Sequence, residues 1–199
     1  MTRNRHFLLC YCRRMHQTFA DMLVEDGKKN SLGRVPEIIE IVLSDKSKLD
    51  ELYAAIFHDD AWARMRAIDA FEKVCRVHPE WIKPYIDKIQ IDLSTSTQAS
   101  IQWHIAQLYR QVELEQRQKD HAIEWLKNIL SYEQADWIVV ANSMATLAYF
   151  VHQGTAAKSD LLNALTVQKN HKSKAVVKRV SELLSEFSSN TSAITTQEK

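Results

Sequence analysis

Glycine and proline are scarce in this sequence: three of each occur in 199 residues. Tight turns depend on these two residue types, so their scarcity argues against an all-β fold and favours long helices joined by short loops. Three glycines also exclude a glycine-rich loop that cradles a phosphate. The signature motifs of nucleotide-binding proteins, serine hydrolases, zinc proteases and EF-hands are all missing. No catalytic residue, metal ligand or cofactor is therefore predicted, and we expect a protein that is not an enzyme.

A strong charge of either sign is also missing. The formal net charge is +1, so the chain has no global field that attracts a polyanion. This balance disfavours a dedicated non-specific nucleic-acid binder, although a local basic patch remains compatible with it.

Cysteine is too rare and too widely spaced to form a disulfide framework. Cys10 and Cys12 form a C-x-C pair without a second pair, so they do not make a zinc site. Cys75 falls on an apolar helical stripe, where it is interpreted as a small core residue. This usage is typical of a reducing compartment and predicts a cytoplasmic protein.

The first twenty residues, MTRNRHFLLCYCRRMHQTFA, are rich in arginine, and the first acidic residue is Asp21. Their apolar run, 7–12, is too short for a signal-peptide core or a membrane span, so no membrane association is predicted. The alternatives for this segment are a poorly ordered leader, a mitochondrial transit segment, or a true start at Met15 or Met22.

A five-position apolar pattern recurs four times along the chain. In RAIDAFEKV and the residues around it, the pattern occupies positions i, i+4, i+7, i+8 and i+11, which share one face of an α-helix. It returns after 38, 38 and 37 residues. The four stripes are Ala63, Ala67, Ala70, Phe71 and Val74; Ile101, Ile105, Leu108, Tyr109 and Val112; Val139, Ser143, Thr146, Leu147 and Phe150; and Val176, Val180, Leu183, Leu184 and Phe187.

A second helix is predicted between successive stripes, so each unit is helix, short loop, helix. Its apolar positions are Tyr85, Ile86 and Ile89, then Ala122, Ile123 and Leu126, then Leu161, Leu162 and Leu165. Two further helices are predicted at 35–43 and 48–57, forming a degenerate first unit. The predicted organisation is an N-terminal leader or helix followed by a loop at 1–34, a repeat domain at 35–187, and a disordered polar tail at 188–199.

Local signals place the ends of several helices. Pro79 suits a first helical turn, and Pro84 predicts that a turn near 79–83 precedes a regular helix. Serine and threonine within 94–100 are predicted to cap the next helix. Gly154 is predicted to end a helix, and Thr155 to cap the one that follows.

Helix pairs that cannot bury their apolar faces alone stack on their neighbours, which predicts an all-α fold: a right-handed α-solenoid of antiparallel helix pairs. The array resembles the HEAT and HEAT-like (ARM-type) repeat family over residues 35–187, most clearly in the unit DDAWARMRAIDAFEKVCRVHPEWIKPYIDKI at 59–89. Arg66 and Asp69 of this unit are not repeated, so an internal Asp–Arg ladder seen in some of these proteins is not continued. The resemblance implies a fold and leaves the function open.

Few residues suggest chemistry. His58, Asp59 and Asp60 are adjacent and point in different directions, so the two aspartates are predicted to cap a helix and not to bind a metal. His104 lies beside an apolar stripe and is interpreted as a packing residue. The tryptophans are predicted to pack between repeats, and the alternative is an aromatic-lined concave groove. They are Trp62, Trp81, Trp103, Trp125 and Trp137.

Some HEAT-like proteins are DNA glycosylases, whose helix carries tryptophan and aspartate in a WWDxxD-like motif. The nearest segment here is DWIVVANSM at 136–144. Trp137 fits, but Val139 and Asn142 stand where carboxylates are needed. A relative of these enzymes would therefore be catalytically inactive.

The segment KNHKSKAVVKR at 169–179 is the strongest candidate for a partner-binding site. No acidic residue occurs between Asp160 and Glu182, and lysines gather at a predicted helix N-terminus, where cations are unfavourable. The alternative to a binding site is that this segment forms a solvent-exposed polar cap on the last repeat. The predicted partner-binding residues are Lys169, His171, Lys172, Lys174, Lys178 and Arg179.

The sequence thus predicts a non-enzymatic HEAT-like repeat scaffold that mediates protein–protein interaction. Its partner is expected to be a protein or peptide, bound by the polar face of the second helices and by the basic patch. The alternative is a nucleic-acid-binding protein related to the HEAT-like glycosylases.

Overall fold

The computed structural model describes residues 17–25 and 31–189, and this part of the chain is helical without a β-strand. The prediction of an all-α fold is confirmed at this level. Residues 1–16 and 26–30 of the segment predicted as leader, helix and loop at 1–34 lie outside the described residues, as do residues 190–199 of the tail predicted at 188–199. None of the described helices combines the length and the apolar character that crossing a membrane requires.

The chain divides into two compact units, Met1–Val77 and His78–Lys199. The boundary falls inside the repeat predicted at 59–89, so its two helices belong to different units. The single repeat domain predicted for 35–187 stays a prediction.

The described part of the first unit holds four α-helices, three of which pack against the longest. These are α1 (Phe19–Val24), α2 (Val35–Ser44), α3 (Leu49–Ala55) and α4 (Ala61–Val77), with a 3-10 turn at Lys46–Lys48. Helix α4 contacts the other three, and its apolar stripe is fully buried. Buried Arg66 donates from Nε to the Ser31 carbonyl at 2.8 Å and from Nη1 to the Leu23 carbonyl. This one side chain ties α1 and the following loop to α4.

The second unit begins with the short helix α5 (Pro79–Ile82), a 3-10 turn at Lys83–Tyr85 and helix α6 (Ile86–Asp92). Where the sequence predicted a turn near 79–83, the chain is already helical, because Pro79 takes the first helical position. The remaining helices are α7 (Ala99–Gln111), α8 (Gln116–Leu130), α9 (Trp137–His152), α10 (Lys158–Gln168) and α11 (Lys174–Ser189).

The apolar stripes form the cores of both units. Every stripe position is buried except Leu184, which is half-buried. Ser143 and Thr146 are buried with the rest, and the Thr146 hydroxyl donates to the Ala106 carbonyl at 2.7 Å. A small polar residue is accommodated at this stripe position because the neighbouring helix supplies a backbone acceptor.

Helices that carry corresponding positions are neighbours in the second unit. Helices α7, α9 and α11 pack side by side in that order, and so do α6, α8 and α10. Side-chain hydrogen bonds join each of these neighbours to the next. Gln118 of α8 reaches Asp87 of α6, Gln107 of α7 reaches Asn142 of α9, and His152 of α9 reaches Glu186 of α11, across 31, 35 and 34 residues.

Helix ends agree with the local signals in some places only. The Asp60 carboxylate accepts from the Trp62 and Ala63 amides and so caps α4, as predicted. Gly154 ends α9 at a positive φ of 68°. Thr155 was predicted to cap the next helix, and this is wrong: its hydroxyl turns back to the Phe150 carbonyl, and α10 starts after Ala157. Gln98, and not a serine or threonine, precedes α7, without a side-chain cap.

Candidate functional site

Three lysines of the predicted basic patch lie at the connection between α10 and α11. Lys169, Lys172 and Lys174 are exposed, and among the described residues none of them has an acidic partner. The other two cations of the patch differ: Lys178 and Arg179 approach Glu182 at 3.9 and 3.1 Å. The positive charge in excess is therefore concentrated at 169–174 and not spread evenly to 179.

His171 does not belong to the exposed surface that the sequence assigned to it. Its side chain is only 3% exposed. The Nε2 atom donates to the backbone carbonyl of Ala135 at 2.9 Å, and Nδ1 accepts from the Ser173 amide at 2.9 Å. Both ring nitrogens are thus occupied by the backbone, so His171 holds the connection in place and offers no atom to a partner.

Gln168 makes a second link to the same neighbour. It is fully buried, and its amide nitrogen donates to the carbonyls of Leu130 and Tyr132, at 2.8 and 3.0 Å. Together with His171, it fixes the α10–α11 connection against the connection between α8 and α9. Sequence reasoning placed neither link, because each partner lies 36 to 38 residues earlier in the chain.

Two large aromatic side chains are exposed near the α8–α9 connection, Tyr132 within it and Trp137 at the first residue of α9. Tyr132 is 62% exposed and Trp137 is 51% exposed. The packing prediction for the tryptophans therefore does not describe Trp137. It does describe Trp125, which is buried in α8 and donates from Nε1 to the Ser94 carbonyl at 2.9 Å. Tyr132 was not singled out from the sequence, although an aromatic residue in the polar loop SYEQAD is the signal that marks it.

A groove runs along the exposed side of α8. It has a volume of about 460 Å³ and is lined by Ser94 together with His121, Glu124, Trp125 and Asn128 of α8. A second hollow of about 160 Å³ adjoins it between α8 and α10 and includes Asp160, Asn163 and Val167. Both hollows include Lys127 and Ser131 in their walls, so they form one continuous surface.

Lys127 lies where the two hollows meet. Its Nζ atom is 3.2 Å from a Glu124 carboxylate oxygen and 3.8 Å from one of Asp160. The hydrogen bond to Glu124, followed by the charge of Asp160, raises the pKa of Lys127 above its usual range. An acid–base–acid row therefore lies where the two hollows meet, and its central cation stays charged at neutral pH.

The polar residues that suggested chemistry have structural partners. Asp60 caps α4, and hydrogen bonds from the Ala63 and then the Trp62 amide hold the pKa of its carboxyl below the ordinary value. The His104 ring stacks on Trp103, and its Nδ1 atom lies 2.6 Å from the Ser100 carbonyl. In the described ranges, no three His, Cys, Asp or Glu side chains come together as a metal site would require.

Two residues of the segment compared with the glycosylase motif, Val139 and Asn142, make contacts within the fold. Val139 is fully buried, and Asn142 donates to the Ile138 carbonyl and accepts from Gln107 and Arg110. Neither side chain supplies a carboxylate, as the sequence already indicated. Comparison with known proteins gives no family for this chain: no family model, curated protein or solved structure matches it.

Proposed function

We propose that this protein is a non-enzymatic scaffold for protein–protein interaction, built as a right-handed α-solenoid of HEAT-like antiparallel helix pairs. The observation that carries the proposal is the way corresponding helices of the second unit are linked. Side-chain hydrogen bonds join α6 to α8, α8 to Ser94 just after α6, α10 to α8, the connection after α10 to the connection after α8, and α7 to α9. Each of these bonds spans 28 to 40 residues of the sequence. A stack of similar units needs such nearest-neighbour links.

The groove along α8 supports the same proposal. The groove is lined by exposed polar and charged side chains and by the largely buried Trp125. A partner helix or extended peptide can place apolar side chains against Trp125 while its polar groups meet Glu124 and Lys127. A repeat scaffold uses its surface for binding and needs no reactive group there.

Selection of ligands from a displayed peptide library tests this proposal. Peptides that bind the wild-type protein are expected to lose affinity for a variant with His121→Ala and Asn128→Ala, which removes two exposed groove side chains. The matched control carries Gln116→Ala and Asp120→Ala, exposed residues on the same helix that do not line the groove. The proposal predicts unchanged binding for this control. The proposal is contradicted if the selected peptides bind both variants as tightly as the wild type and if replacing the lysines at 169–174 also leaves their affinity unchanged.

Nucleic-acid binding is the second candidate, and one observation favours it: three exposed lysines without acidic partners occur at one edge of the second unit. A titration with duplex DNA at increasing salt separates the two functions. Binding by phosphate contacts weakens steeply with salt, and it weakens further when Lys172→Ala and Lys174→Ala remove two contacts. The scaffold proposal predicts no measurable duplex binding even at low salt.

A further inference from the structure

Two connections of the second unit lie side by side and are held together by buried side chains. The segment 168–174 approaches 130–137 because Gln168 donates to the Leu130 and Tyr132 carbonyls, and His171 donates to the Ala135 carbonyl. Residues that project to solvent from the two segments therefore share one edge of this unit. We call this edge the lysine–aromatic edge; it consists of Lys169, Lys172, Lys174, Tyr132 and Trp137.

Two of the three lysines of this edge lie where the local electrostatic field disfavours a cation, whereas Lys169 caps the C-terminus of α10, where a cation is favoured. Lys174 is the first residue of α11, and Lys172 lies two residues before it, where the partial positive charge of the helix dipole disfavours a cation. Elsewhere in this unit, Lys127, Lys178 and Arg179 each approach a carboxylate within 4.0 Å. The three lysines of the edge have none among the described residues, so their charge is open to an anionic partner.

The aromatic residues supply apolar contact beside this charge. Tyr132 and Trp137 are 62% and 51% exposed, although large aromatic rings are usually covered in a folded protein. Tyrosine and tryptophan contribute much of the binding energy at protein interfaces, because they bury a large area with few rotatable bonds. The edge thus offers cationic and apolar contacts within one short stretch of surface.

Acidic residues at the same edge decide between two kinds of anion. Glu133 and Asp136 are exposed in the α8–α9 connection, and Asp136 caps α9 through the Ile138 amide. A nucleic acid carries a negative charge at every nucleotide, so some of its phosphates would meet these carboxylates. A peptide carries charge only at particular residues, so it can place carboxylates over the lysines and neutral side chains over Glu133 and Asp136.

We infer that the lysine–aromatic edge binds an acidic peptide segment of a partner protein, with Glu or Asp side chains on Lys169, Lys172 and Lys174 and a neighbouring apolar side chain against Tyr132 and Trp137. The inference rests on the proposed scaffold function and specifies the partner's chemistry. It does not depend on the groove along α8, which is a separate surface lined by other residues.

Fluorescence anisotropy with the full chain tests the inference. The probe is a short labelled peptide in which a run of glutamates adjoins a leucine and a phenylalanine. The comparison probes are the same peptide with glutamine for each glutamate, and a single-stranded oligouridylate of similar length. The glutamate probe is expected to bind about tenfold more tightly than the glutamine probe, because each exposed ion pair contributes little and three act together. The oligouridylate is expected to bind more weakly than the glutamate probe.

Variants of the protein locate the site. Lys169→Ala, Lys172→Ala and Lys174→Ala together are expected to lower affinity for the glutamate probe about tenfold, whereas Lys83→Ala, Lys88→Ala and Lys119→Ala remove the same charge elsewhere in the unit and are expected to change it less than about twofold. Trp137→Ala is expected to weaken both peptide probes. Thermal unfolding checks that each variant is folded.

A charge swap provides a readout that loss of folding cannot imitate. The variant with Lys172→Glu and Lys174→Glu is expected to lose the glutamate probe and to bind a probe that carries lysine in place of glutamate. Equal binding of the glutamate and glutamine probes overturns the inference, as does equal loss in the two lysine variants. Tighter binding of the oligouridylate, lost on removal of the three lysines, assigns the edge to nucleic acid instead.

The proposed scaffold function and this inference can be contradicted independently of each other. If the acidic probe does not bind but library peptides still depend on His121 and Asn128, the edge is not a docking site and the scaffold proposal stands. If neither the probe nor library peptides bind, both proposals fall.

Discussion

The imidazole of His171 donates a hydrogen bond to the backbone carbonyl of Ala135, 36 residues earlier, across 2.9 Å. The donor belongs to the connection before α11 and the acceptor to the connection before α9, which precede corresponding helices of the repeat pattern. The link therefore joins the connections that precede two neighbouring helices, α9 and α11, both of which carry the apolar stripe. It also fixes the segment from which the exposed lysines project.

Replacing His171 tests the importance of this link for stability. His171→Ala is expected to lower the free energy of unfolding by about 1–3 kcal/mol, because it removes a buried side chain and leaves the Ala135 carbonyl and the Ser173 amide without their partner. Urea denaturation followed by circular dichroism measures the change. The neighbouring exposed Lys172→Ala is the control, with an expected effect within about 0.5 kcal/mol. Equal effects in the two variants would show that His171 contributes no more than a surface residue.

The apolar stripe is expected to dominate the stability of the second unit. Leu108 is fully buried in α7, whereas Ile91 in α6 is 75% exposed. Leu108→Ala is expected to cost about 2–5 kcal/mol, because it removes buried methyl groups and leaves a cavity. Ile91→Ala is expected to change stability by less than about 0.5 kcal/mol. Chemical denaturation of the pair measures both, and a large effect at Ile91 would show that the stripe assignment misplaces the core.

Substitution of Gly154 is expected to lower stability solely because of the backbone conformation at this position. Its φ is +68°, and a Cβ atom added there meets nothing within 4 Å. Gly154→Ala is therefore expected to cost about 1 kcal/mol through the left-handed conformation, without a steric clash. Gly154→Asn is expected to cost less, because asparagine tolerates this conformation better. Thermal unfolding of the two variants gives the order, and the reverse order would contradict the explanation.

The cap of α4 is expected to make stability depend on pH at acidic values. Hydrogen bonds from the Ala63 amide and then the Trp62 amide hold the pKa of Asp60 below its ordinary value of 3.8. The unfolded chain therefore takes up this proton first as the pH falls. The stabilisation by Asp60 is fully present above pH 3.8 and is lost as the pH falls through the lowered pKa.

Thermal unfolding of Asp60→Ala at several pH values measures this effect. The variant is expected to unfold at a lower temperature than the wild type at neutral pH, and the difference is expected to vanish in strong acid. Asp59→Ala is the matched control, since it is Asp60 whose carboxylate accepts from the first turn of α4. A gap between Asp60→Ala and the wild type that persists unchanged into strong acid would rule out the carboxylate cap as its source.

The apolar periodicity predicted the helices and the buried faces of this protein well. The stripes that begin at Ile101, Val139 and Val176 all lie in the core of the second unit. Burial of apolar area is a local property of the pattern, and a helix of known period carries it directly. This is why the pattern remained informative even where Ser143 and Thr146 replace larger side chains.

Polar side chains were harder to place, because their partners are distant in sequence. His171 was assigned to a surface because its neighbours are basic. Its side chain is instead buried and donates a hydrogen bond to a backbone carbonyl 36 residues earlier. Thr155 was assigned to the start of a helix, yet it closes the end of the preceding one at Phe150. Exposure of Tyr132 and Trp137 likewise depends on how two connections meet. The sequence thus indicated the connection that carries the exposed lysines, but not which side chains from other parts of the chain lie beside it.

Photo-crosslinking in the source cells tests the proposed scaffold function most directly. A photoreactive amino acid replaces Asn128 in the groove along α8, and in a second variant it replaces Gln116, on the same helix but outside the groove. We predict a crosslinked protein partner for position 128, identified by mass spectrometry and unchanged by nuclease, and none for position 116. A nuclease-sensitive adduct, or equal yields at the two positions, would contradict a protein-binding groove.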